Sequence, residues 1–461
     1  MPLHVTLIDT RQAGPARPDA KTIIARWPKG TPLAACIAGD QSGRTRYSLF
    51  ARPEEVRTAA TLDELSQFIT REGRCIQSDS HFGPGWVVSI GYAVGREIEP
   101  TTVGEGCIQS KAPAITAARI ESGYIHDNRT GEITGFGSPP PLCQEQVEPD
   151  RYTIGSAQGL DQRDAYTDAV RRVVELIRAG DAFQVNLAHR LSAAFSGSAR
   201  AFARNLTDTL KPWHGCYIEL PSVADSPIGA IASLSPELFL ELTSHGNVRT
   251  RPMKGTRSGS TPPGELDLSP KDNAELAMIV DLMRNDLGRV CGFGSVRVTD
   301  ERSIEPHGGS ADSPSLWQGV ATIEGSLRDG LGVIDLVRAA FPPGSITGAP
   351  KVRAMQIIDE LEPSLGFDAS LPARGPYCGA CGYIGDDGSA SLNVAIRTAI
   401  FTGASNGAGE VSGGTVHYPV GAGIVADSDP QSEWRETLDK AKPFLDLCGS
   451  GSEDSVLGTE H

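Results

Sequence analysis

The chain has 461 residues and carries 57 acidic and 42 basic side chains, which gives a formal net charge of −15. This length suits roughly two or three ordinary domains or one large one. Hydrophobic residues make up 39% and charged residues 21%, a globular composition that argues against general disorder. The acidic balance disfavours nucleic acid or an anionic membrane as a partner, because both need clustered lysine and arginine. A small anionic substrate in a locally basic pocket remains compatible with it.

Targeting and redox signals are weak. The N-terminal residues 1–20 lack the basic start of a secretory signal, and no segment reaches the roughly 18 uncharged apolar residues of a membrane helix. Nine cysteines are odd in number and sparse, so we expect no disulfide framework and a reducing cytoplasm. Cys378 and Cys381 form a lone C-x-x-C pair, which we expect to be small buried residues, because no second pair follows at zinc-site spacing.

Taken in chain order, the predicted elements are mostly strands. Short strand-like segments, such as 86–92, fill residues 1–150. Helices are predicted over 162–179 and 352–361 and from Ser269 and Asp429, and strands over 183–191, 229–242, 248–252 and 393–400, with room for a helical turn at 235–237. Loops are predicted at 136–148, 258–270 and 305–316, a hairpin or disordered excursion at 403–414 and a frayed tail at 449–461. Because helices do not alternate strictly with strands, we predict an α+β fold with largely antiparallel sheets.

Two helices that begin at a proline each carry a pair of acidic residues. Asp272 and Glu275 lie on the first helix, and Glu433 and Glu436 on the second, each pair three residues apart on one helical face. Acidic residues near a helix N-terminus are favoured by the helix dipole alone, and Asp272 can be a plain capping acid. If both pairs face one cavity, they offer the hard oxygen ligands that Mg²⁺ prefers.

A lysine follows a strand that ends at a proline, in the segment RPMKGTR. Lys254 stands beside a permissive glycine, with Thr256 just beyond it. Most lysines are solvated surface residues. The functional alternative is a partly desolvated Lys254 with a lowered pKa, acting as a nucleophile or base.

Three further segments fit anion binding. The small residues around Ser345 precede a helix, and Gly421 and Gly423 could bring backbone N–H groups close to a carboxylate. Each of these segments is weak alone, since short glycine motifs are more often turns. Arg397, in a strand-like segment, could bind a carboxylate with two parallel hydrogen bonds.

The order of these motifs resembles the chorismate-binding enzymes, which include anthranilate, aminodeoxychorismate, isochorismate and salicylate synthases. The matching segments are RPMKGT, DNAELAMIVDLMRNDLGRV, PPGSITGAPKVRAM, RGPYCGACGY, AIRT and GAGIVADSDPQSEWRETLDKA. The resemblance implies a catalytic region at 151–446, a variable N-terminal region at 1–150 packed on it, and a disordered tail at 447–461. It also implies two antiparallel sheets packed as a sandwich with flanking helices, as in anthranilate synthase component I.

The resemblance also implies chorismate as substrate, Mg²⁺ as cofactor and a role for each matching residue. It assigns Glu275 and Glu436 to the metal, with Glu433 and Asp272 as further acids near it. The residues implied in holding the substrate are Ser345, Tyr377, Arg397, Gly421, Gly423 and Lys440.

Two positions separate the activities within the family. Water-adding members carry a lysine as general base where this chain has Gln184, and glutamine is typical of the ammonia-using members. Anthranilate synthases usually carry alanine where this chain has Lys254, and lysine resembles aminodeoxychorismate synthase component I. There the lysine amine is implied to attack ring C2 and expel the C4 hydroxyl, after which ammonia adds at C4 and expels the lysine.

One departure from the family is marked. The family motif V-x-H-L-x-S is replaced here by LWQGVA, so that Gln318 stands for a histidine near the reacting ring. Glutamine hydrogen-bonds but is neither a general acid nor a general base, which predicts an altered rate or altered product release. His307 is predicted to lie in a loop, and we do not assign it the missing role.

We therefore expect amination of chorismate by ammonia to 4-amino-4-deoxychorismate, a transferase reaction on the route to p-aminobenzoate and folate or to a secondary metabolite. No cysteine lies in a G-x-C-x-G elbow, Cys107 coming nearest, so a separate glutamine amidotransferase subunit is expected to supply the ammonia. Two alternatives stay open: an enzyme that aminates C2, making anthranilate or 2-amino-2-deoxyisochorismate, and a weakly active or non-catalytic member that lacks the family histidine.

Overall fold

The polypeptide is described by a computed structural model. It covers residues 6–7, 20–38, 46–69, 82–102, 113–144, 151–221, 227–267, 270–307, 316–368, 371 and 374–449. The predictions for the tail after residue 449, for most of loop 305–316, for the helix cap at Ser269 and for Cys107 lie outside these residues.

The described part of the chain contains twenty strands and ten α-helices. The strands are β1 (Thr6–Leu7), β2 (Ala34–Ile37), β3 (Tyr47–Ala59), β4 (Gly85–Ile90), β5 (Ile115–Asp127), β6 (Ile133–Phe136), β7 (Tyr152–Ile154), β8 (Gln184–Ser198), β9 (His214–Glu219), β10 (Ile228–Ser235), β11 (Leu238–Leu242), β12 (Asn247–Arg251), β13 (Met253–Ser258), β14 (Arg297–His307), β15 (Leu316–Ser326), β16 (Gly348–Ala349), β17 (Ala380–Gly385), β18 (Ala390–Val394), β19 (Thr398–Ser405) and β20 (Glu410–Ile424). The helices are α1 (Ala20–Ala25), α2 (Leu62–Ile69), α3 (Val94–Ile98), α4 (Arg163–Arg178), α5 (Ala199–Leu210), α6 (Pro263–Asp267), α7 (Pro270–Gly288), α8 (Val333–Ala340), α9 (Lys351–Leu361) and α10 (Pro430–Gly449).

All strand pairs are antiparallel, and they form one hydrogen-bonded network with two arms. The long strands β3 and β5 pair with each other and start both arms. The first arm runs from β5 through β4, β17, β18, β11, β12 and β15 to β13 and β14. The second runs from β3 through β2, β9, β10, β19 and β20 to β8. The α+β fold with antiparallel pairing is confirmed, whereas two separate sheets are not, because β3 and β5 join the arms.

The two arms face each other across an apolar layer. Val87 and Tyr383 from the first arm share one buried cluster with Ile218 and Ile400 from the second. Two further clusters lie beneath the helices, one under α4, α7, α8 and α9 and one under α5 and α10. Burial on this scale is the main favourable term in folding, and here it fixes the arms relative to each other. Functional side chains on opposite arms are thereby brought together.

Most predicted elements are confirmed. The helix predicted over 162–179 is α4 with Gly180 in a left-handed conformation just after it, and prolines begin α7 and α10 as predicted. The segment 403–414 is a hairpin between β19 and β20. Cys378 and Cys381 are buried free thiols. No described helix is long and apolar enough to cross a membrane.

Four local predictions are wrong. The segment 235–237 is a bend between β10 and β11, not a helical turn, and the loop 258–270 contains helix α6. The strand predicted over 393–400 is broken into β18 and β19, with Arg397 in the bend at φ +49. His307 ends strand β14 and is 2% exposed, so it does not lie in a loop.

Candidate active site

Lys254 and Gln184 come from opposite arms and meet over Gly423. A bulge at Gly255, at φ +80, separates the paired residues Lys254 and Thr256 on β13 and changes the direction of the strand. Gln184 begins β8, and Gly423 lies on the neighbouring β20. A Cβ atom at Gly423 would lie 3.1 Å from the Lys254 Nζ and 3.2 Å from the Gln184 Nε2. The missing side chain at Gly423 therefore leaves room for the ammonium and the amide in one pocket.

The Lys254 ammonium is largely removed from solvent, with 12% of its side chain exposed. Burial lowers its pKa, while the Glu275 carboxylate, whose Oε2 lies 3.8 Å from Nζ, acts in the opposite direction. Lys440 adds a smaller lowering effect, and Glu237 and Glu436 raise the pKa. A lysine with a lowered pKa is more often a neutral amine at pH 7, the form that can attack carbon.

The amide of Gln184 has no protein partner in the described structure. The side chain is fully buried, and neither its Nε2 nor its Oε1 makes a hydrogen bond there. Leaving a buried polar group unpaired costs about 1–3 kcal/mol, so such groups commonly await a ligand or a water molecule. The pocket beside Lys254 therefore offers both a donor and an acceptor to a polar ligand.

A glutamate that we did not predict also faces this pocket. Glu237 lies in the bend before β11 and is 4% exposed. Burial raises its pKa to about 7, against smaller lowering effects of a hydrogen bond with Ser345, the charge of Lys254 and the Met253 backbone N–H. A carboxyl group with a pKa near neutrality can deliver a proton at physiological pH. In the sequence, the feature that could have drawn attention to Glu237 is its position beside Pro236, between two strands.

The raised pKa of Glu237 predicts a pH-dependent stability. Between about pH 4.5 and about pH 7 the folded state holds a proton on Glu237 that the unfolded state has released, so the contribution of Glu237 to stability falls as pH rises through this window. Buried histidines such as His214 and His307, whose folded-state pKa is lowered to about 3, contribute in the opposite direction. The fall due to Glu237 is at most about 3 kcal/mol. We expect the stability of Glu237→Gln relative to wild type, measured by denaturant unfolding, to rise across this window, because only wild type loses the contribution of Glu237. Glu241→Gln, at a partly exposed glutamate on β11, should keep a constant difference from wild type. Equal slopes in wild type and Glu237→Gln would contradict the assignment.

Arg397 offers a cation without a protein anion. No carboxylate of the described residues lies within salt-bridge distance of its guanidinium, and its hydrogen-bond partner there is the Nε2 of His307, 3.3 Å from Nη1. The backbone carbonyl of Arg397 accepts a hydrogen bond from Leu234 N–H, which ties the bend to β10. An arginine fork left open in this way suits a substrate carboxylate.

The predicted metal acids are not equivalent. Asp272 Oδ2 lies 2.7 Å from Arg257 Nη2, and the Asp272 side chain packs against Gly255. Glu433 is buried and accepts a hydrogen bond from the Ser428 hydroxyl at 2.6 Å. Glu275 and Glu436, in contrast, are both close enough to Lys254 for their charges to raise its pKa. The described residues contain no group of three or more His, Cys, Asp or Glu side chains arranged to hold a metal.

The remaining predicted residues make other contacts. Lys440 contacts Glu436 at 2.8 Å and donates to the Gly421 carbonyl at 2.9 Å. Gln318 and Thr256 are paired across β15 and β13, and the buried Oε1 of Gln318 has no partner in the described structure. Tyr377 is buried, and the centroid of its ring lies 5.9 Å from the Cζ atom of the Arg374 guanidinium.

Comparison with known proteins identifies the class. The family model of the chorismate binding enzymes matches residues 34–446, so the chain belongs to that family. An aminodeoxychorismate synthase component 1 from Klebsiella aerogenes is 35% identical over 85% of this chain and 84% of its own length. An anthranilate synthase component 1 from Haloarcula marismortui is 40% identical over 88% of this chain and 83% of its own length. The anthranilate synthase component I structure from Streptococcus pneumoniae has a TM-score of 0.66 at 27% identity, covering 87% of this chain and 92% of that one.

Proposed function

We propose that this chain aminates chorismate with ammonia to give 4-amino-4-deoxychorismate. The observation that carries the proposal is Lys254, an amine with a lowered pKa that faces Gln184 across Gly423. A lysine there suits a covalent route, and a glutamine in place of a basic residue leaves an attacking water molecule without a base. The relatives named aminodeoxychorismate synthase support the same choice.

The proposed reaction has two substitution steps. The neutral Lys254 amine attacks ring C2, the double bonds shift, and the C4 hydroxyl leaves as water after taking a proton from the Glu237 carboxyl group. The new secondary ammonium on Lys254 then loses a proton. Ammonia adds at C4 and loses a proton, the Lys254 nitrogen takes up a proton, and Lys254 departs from C2 as a neutral amine while the double bonds return. The buried Glu237, with its pKa of about 7, suits the proton donor of the first step.

Arg397 and Gln184 offer partners for two different parts of the substrate. The open fork of Arg397 suits one carboxylate, and the buried amide of Gln184 suits a hydrogen bond to the ring hydroxyl or to ammonia. Ser345, Tyr377, Gly421, Gly423 and Lys440 are proposed to complete the substrate site, with Gln318 and Thr256 beside the reacting ring.

Mg²⁺ is the proposed cofactor, with Glu275 and Glu436 as its protein ligands. The two carboxylates come from α7 and α10, and the charge of each raises the pKa of Lys254. Hard oxygen donors from two helices are therefore available near one lysine. Mg²⁺ usually takes only one or two protein carboxylates and keeps waters or substrate oxygens as its other ligands. When bound, the ion would neutralise a substrate carboxylate in the pocket. Glu433 and Asp272 would orient these helices' first turns.

The product assay tests the reaction. The purified chain is incubated with chorismate, ammonium and Mg²⁺, and the position of the new amine is determined by mass spectrometry and NMR. We expect the amine at C4. An amine at C2 would instead support the second candidate, a C2-aminating enzyme, which the 40% identity to an anthranilate synthase favours. No product at all would contradict both and leave a binding protein.

The nitrogen source gives a second prediction. The ammonium ion is not a nucleophile, so turnover with ammonium salts should rise with pH as neutral ammonia becomes available. We expect the chain alone to use ammonium and not glutamine, and to gain glutamine-dependent turnover when a glutamine amidotransferase subunit is added. The relatives' names, component 1, fit a two-subunit enzyme. Release of glutamate from glutamine by the chain alone, at a rate matching amination, would contradict this.

A further inference from the structure

His307 contacts the proposed carboxylate-binding arginine, although it lies outside every motif that predicted the site. It ends strand β14, two residues beyond Glu305, which pairs with Gln318 on β15. The imidazole is 2% exposed, and its ring packs edge-on against Trp213 at a centroid distance of 4.7 Å. The ring is thus held by packing, with Nε2 directed at Arg397 Nη1.

We propose that His307 is a positioning residue, which accepts a hydrogen bond from Arg397 and so orients the guanidinium to receive a carboxylate of the substrate. This inference rests on the proposed use of chorismate. A guanidinium can only donate, so the Nε2 that it contacts must carry a lone pair, and the ring proton must be on Nδ1. With Nη1 engaged, the Nε–Nη2 edge of the fork remains for a bidentate carboxylate.

The backbone and the guanidinium of Arg397 are held by different contacts. Its φ of +49 is uncommon for a residue other than glycine, and strained conformations of this kind persist where surrounding contacts fix them. The Thr398 hydroxyl, which donates to the Ile396 carbonyl, holds the bend, but these contacts fix the backbone only. Among the described residues, His307 is the hydrogen-bond partner that fixes the guanidinium.

Electrostatics favour the neutral form of the imidazole. Burial, followed by the charge of Arg397, lowers the pKa of His307 to about 3, and the neighbouring His214 acts in the same direction. His214 itself has a pKa lowered to about 3, chiefly by burial. His307 thus stays a hydrogen-bond acceptor at every pH at which the enzyme would work. It accepts a hydrogen bond from Arg397 without gaining or losing a proton.

The test compares His307→Phe with His307→Gln in the full chain. Phenylalanine keeps a ring against Trp213 but removes the acceptor, and glutamine restores an oxygen at about the reach of Nε2. We expect His307→Phe to weaken chorismate binding and raise KM about tenfold or more, with kcat changed less than about threefold. His307→Gln should stay within about threefold of wild type in both. Binding is measured by calorimetry without ammonia, and thermal melting verifies that each variant folds.

Two further readouts separate positioning from other roles. The ratio of KM in His307→Phe to that in wild type should be the same at about pH 6 and about pH 8.5, because the ring is neutral at both. In an Arg397→Met background, His307→Phe should add little, since its effect passes through the arginine. Three results would overturn this inference while leaving the proposed function in place. They are an unchanged KM in His307→Phe, a KM ratio between His307→Phe and wild type that changes with pH, and a full effect of His307→Phe in the Arg397→Met background. Wild type that fails to bind chorismate would overturn the proposed function and this inference with it.

Discussion

Lys254→Ala is expected to lower the amination rate by roughly a thousandfold or more, the scale of losing a covalent nucleophile. The physical reason is the environment of its ammonium. Burial lowers the pKa of Lys254 and makes its amine available, and its Nζ is the atom that lies nearest to a Cβ built at Gly423, next to the Gln184 amide. Steady-state amination of chorismate with ammonium measures the effect.

Two control variants separate nucleophilicity from charge and from surface effects. Lys254→Arg keeps the positive charge beside Glu275 but removes a usable nucleophile, so it should be nearly as inactive as the alanine variant. Lys442→Ala removes an exposed lysine of α10 that pairs with Asp446, and it should leave the rate unchanged. Full activity in Lys254→Ala would remove the covalent route and most of the case for amination at C4.

Glu436→Gln is expected to lower activity by about a hundredfold at low Mg²⁺, with partial recovery as Mg²⁺ is raised. The amide is a neutral, weaker ligand, so a site built from two carboxylates would hold the ion poorly. Glu275 would then remain as the one proposed carboxylate ligand of a poorly held cation. Activity measured across a magnesium titration tests this.

The matched control for Glu436 lies on the same helix. Asp446→Asn removes an exposed carboxylate of α10 that is 59% exposed, and its magnesium dependence should equal that of wild type. Mg²⁺ together with chorismate should also raise the thermal midpoint of wild type more than that of Glu436→Gln, because ligands stabilise the state that binds them. Near-normal activity of Glu436→Gln at low Mg²⁺ would show that the metal assignment is wrong.

Local signals in the sequence predicted the elements well and part of the site. Prolines at the first positions of α7 and α10, and Gly180 after α4, act within one turn of helix, so the sequence displays them directly. Lys254 and Gln184 were predicted as candidates from their motifs, and the structure brings them to one pocket. That meeting depends on β8, β13 and β20, which belong to different arms.

The residues that sequence reasoning missed owe their properties to distant contacts. Glu237 is unusual because burial raises its pKa to about 7, and burial is decided by packing of both arms. His307 contacts Arg397 across 90 residues of sequence, and Arg397 itself sits in a bend where a continuous strand was predicted. The single network of strands was missed for the same reason, since the β3–β5 pairing that joins the arms leaves no periodic signal in either strand.

The central claim, that Lys254 forms the covalent link to the substrate, is tested most directly by mass spectrometry of the intact protein. The full chain is incubated with chorismate and Mg²⁺ without ammonia, quenched, weighed and digested. We predict an added mass equal to chorismate less one water, located on the peptide that contains Lys254 and absent from Lys254→Arg. An unmodified Lys254 in wild type that turns over normally once ammonia is added, or the same adduct in Lys254→Arg, would contradict the claim.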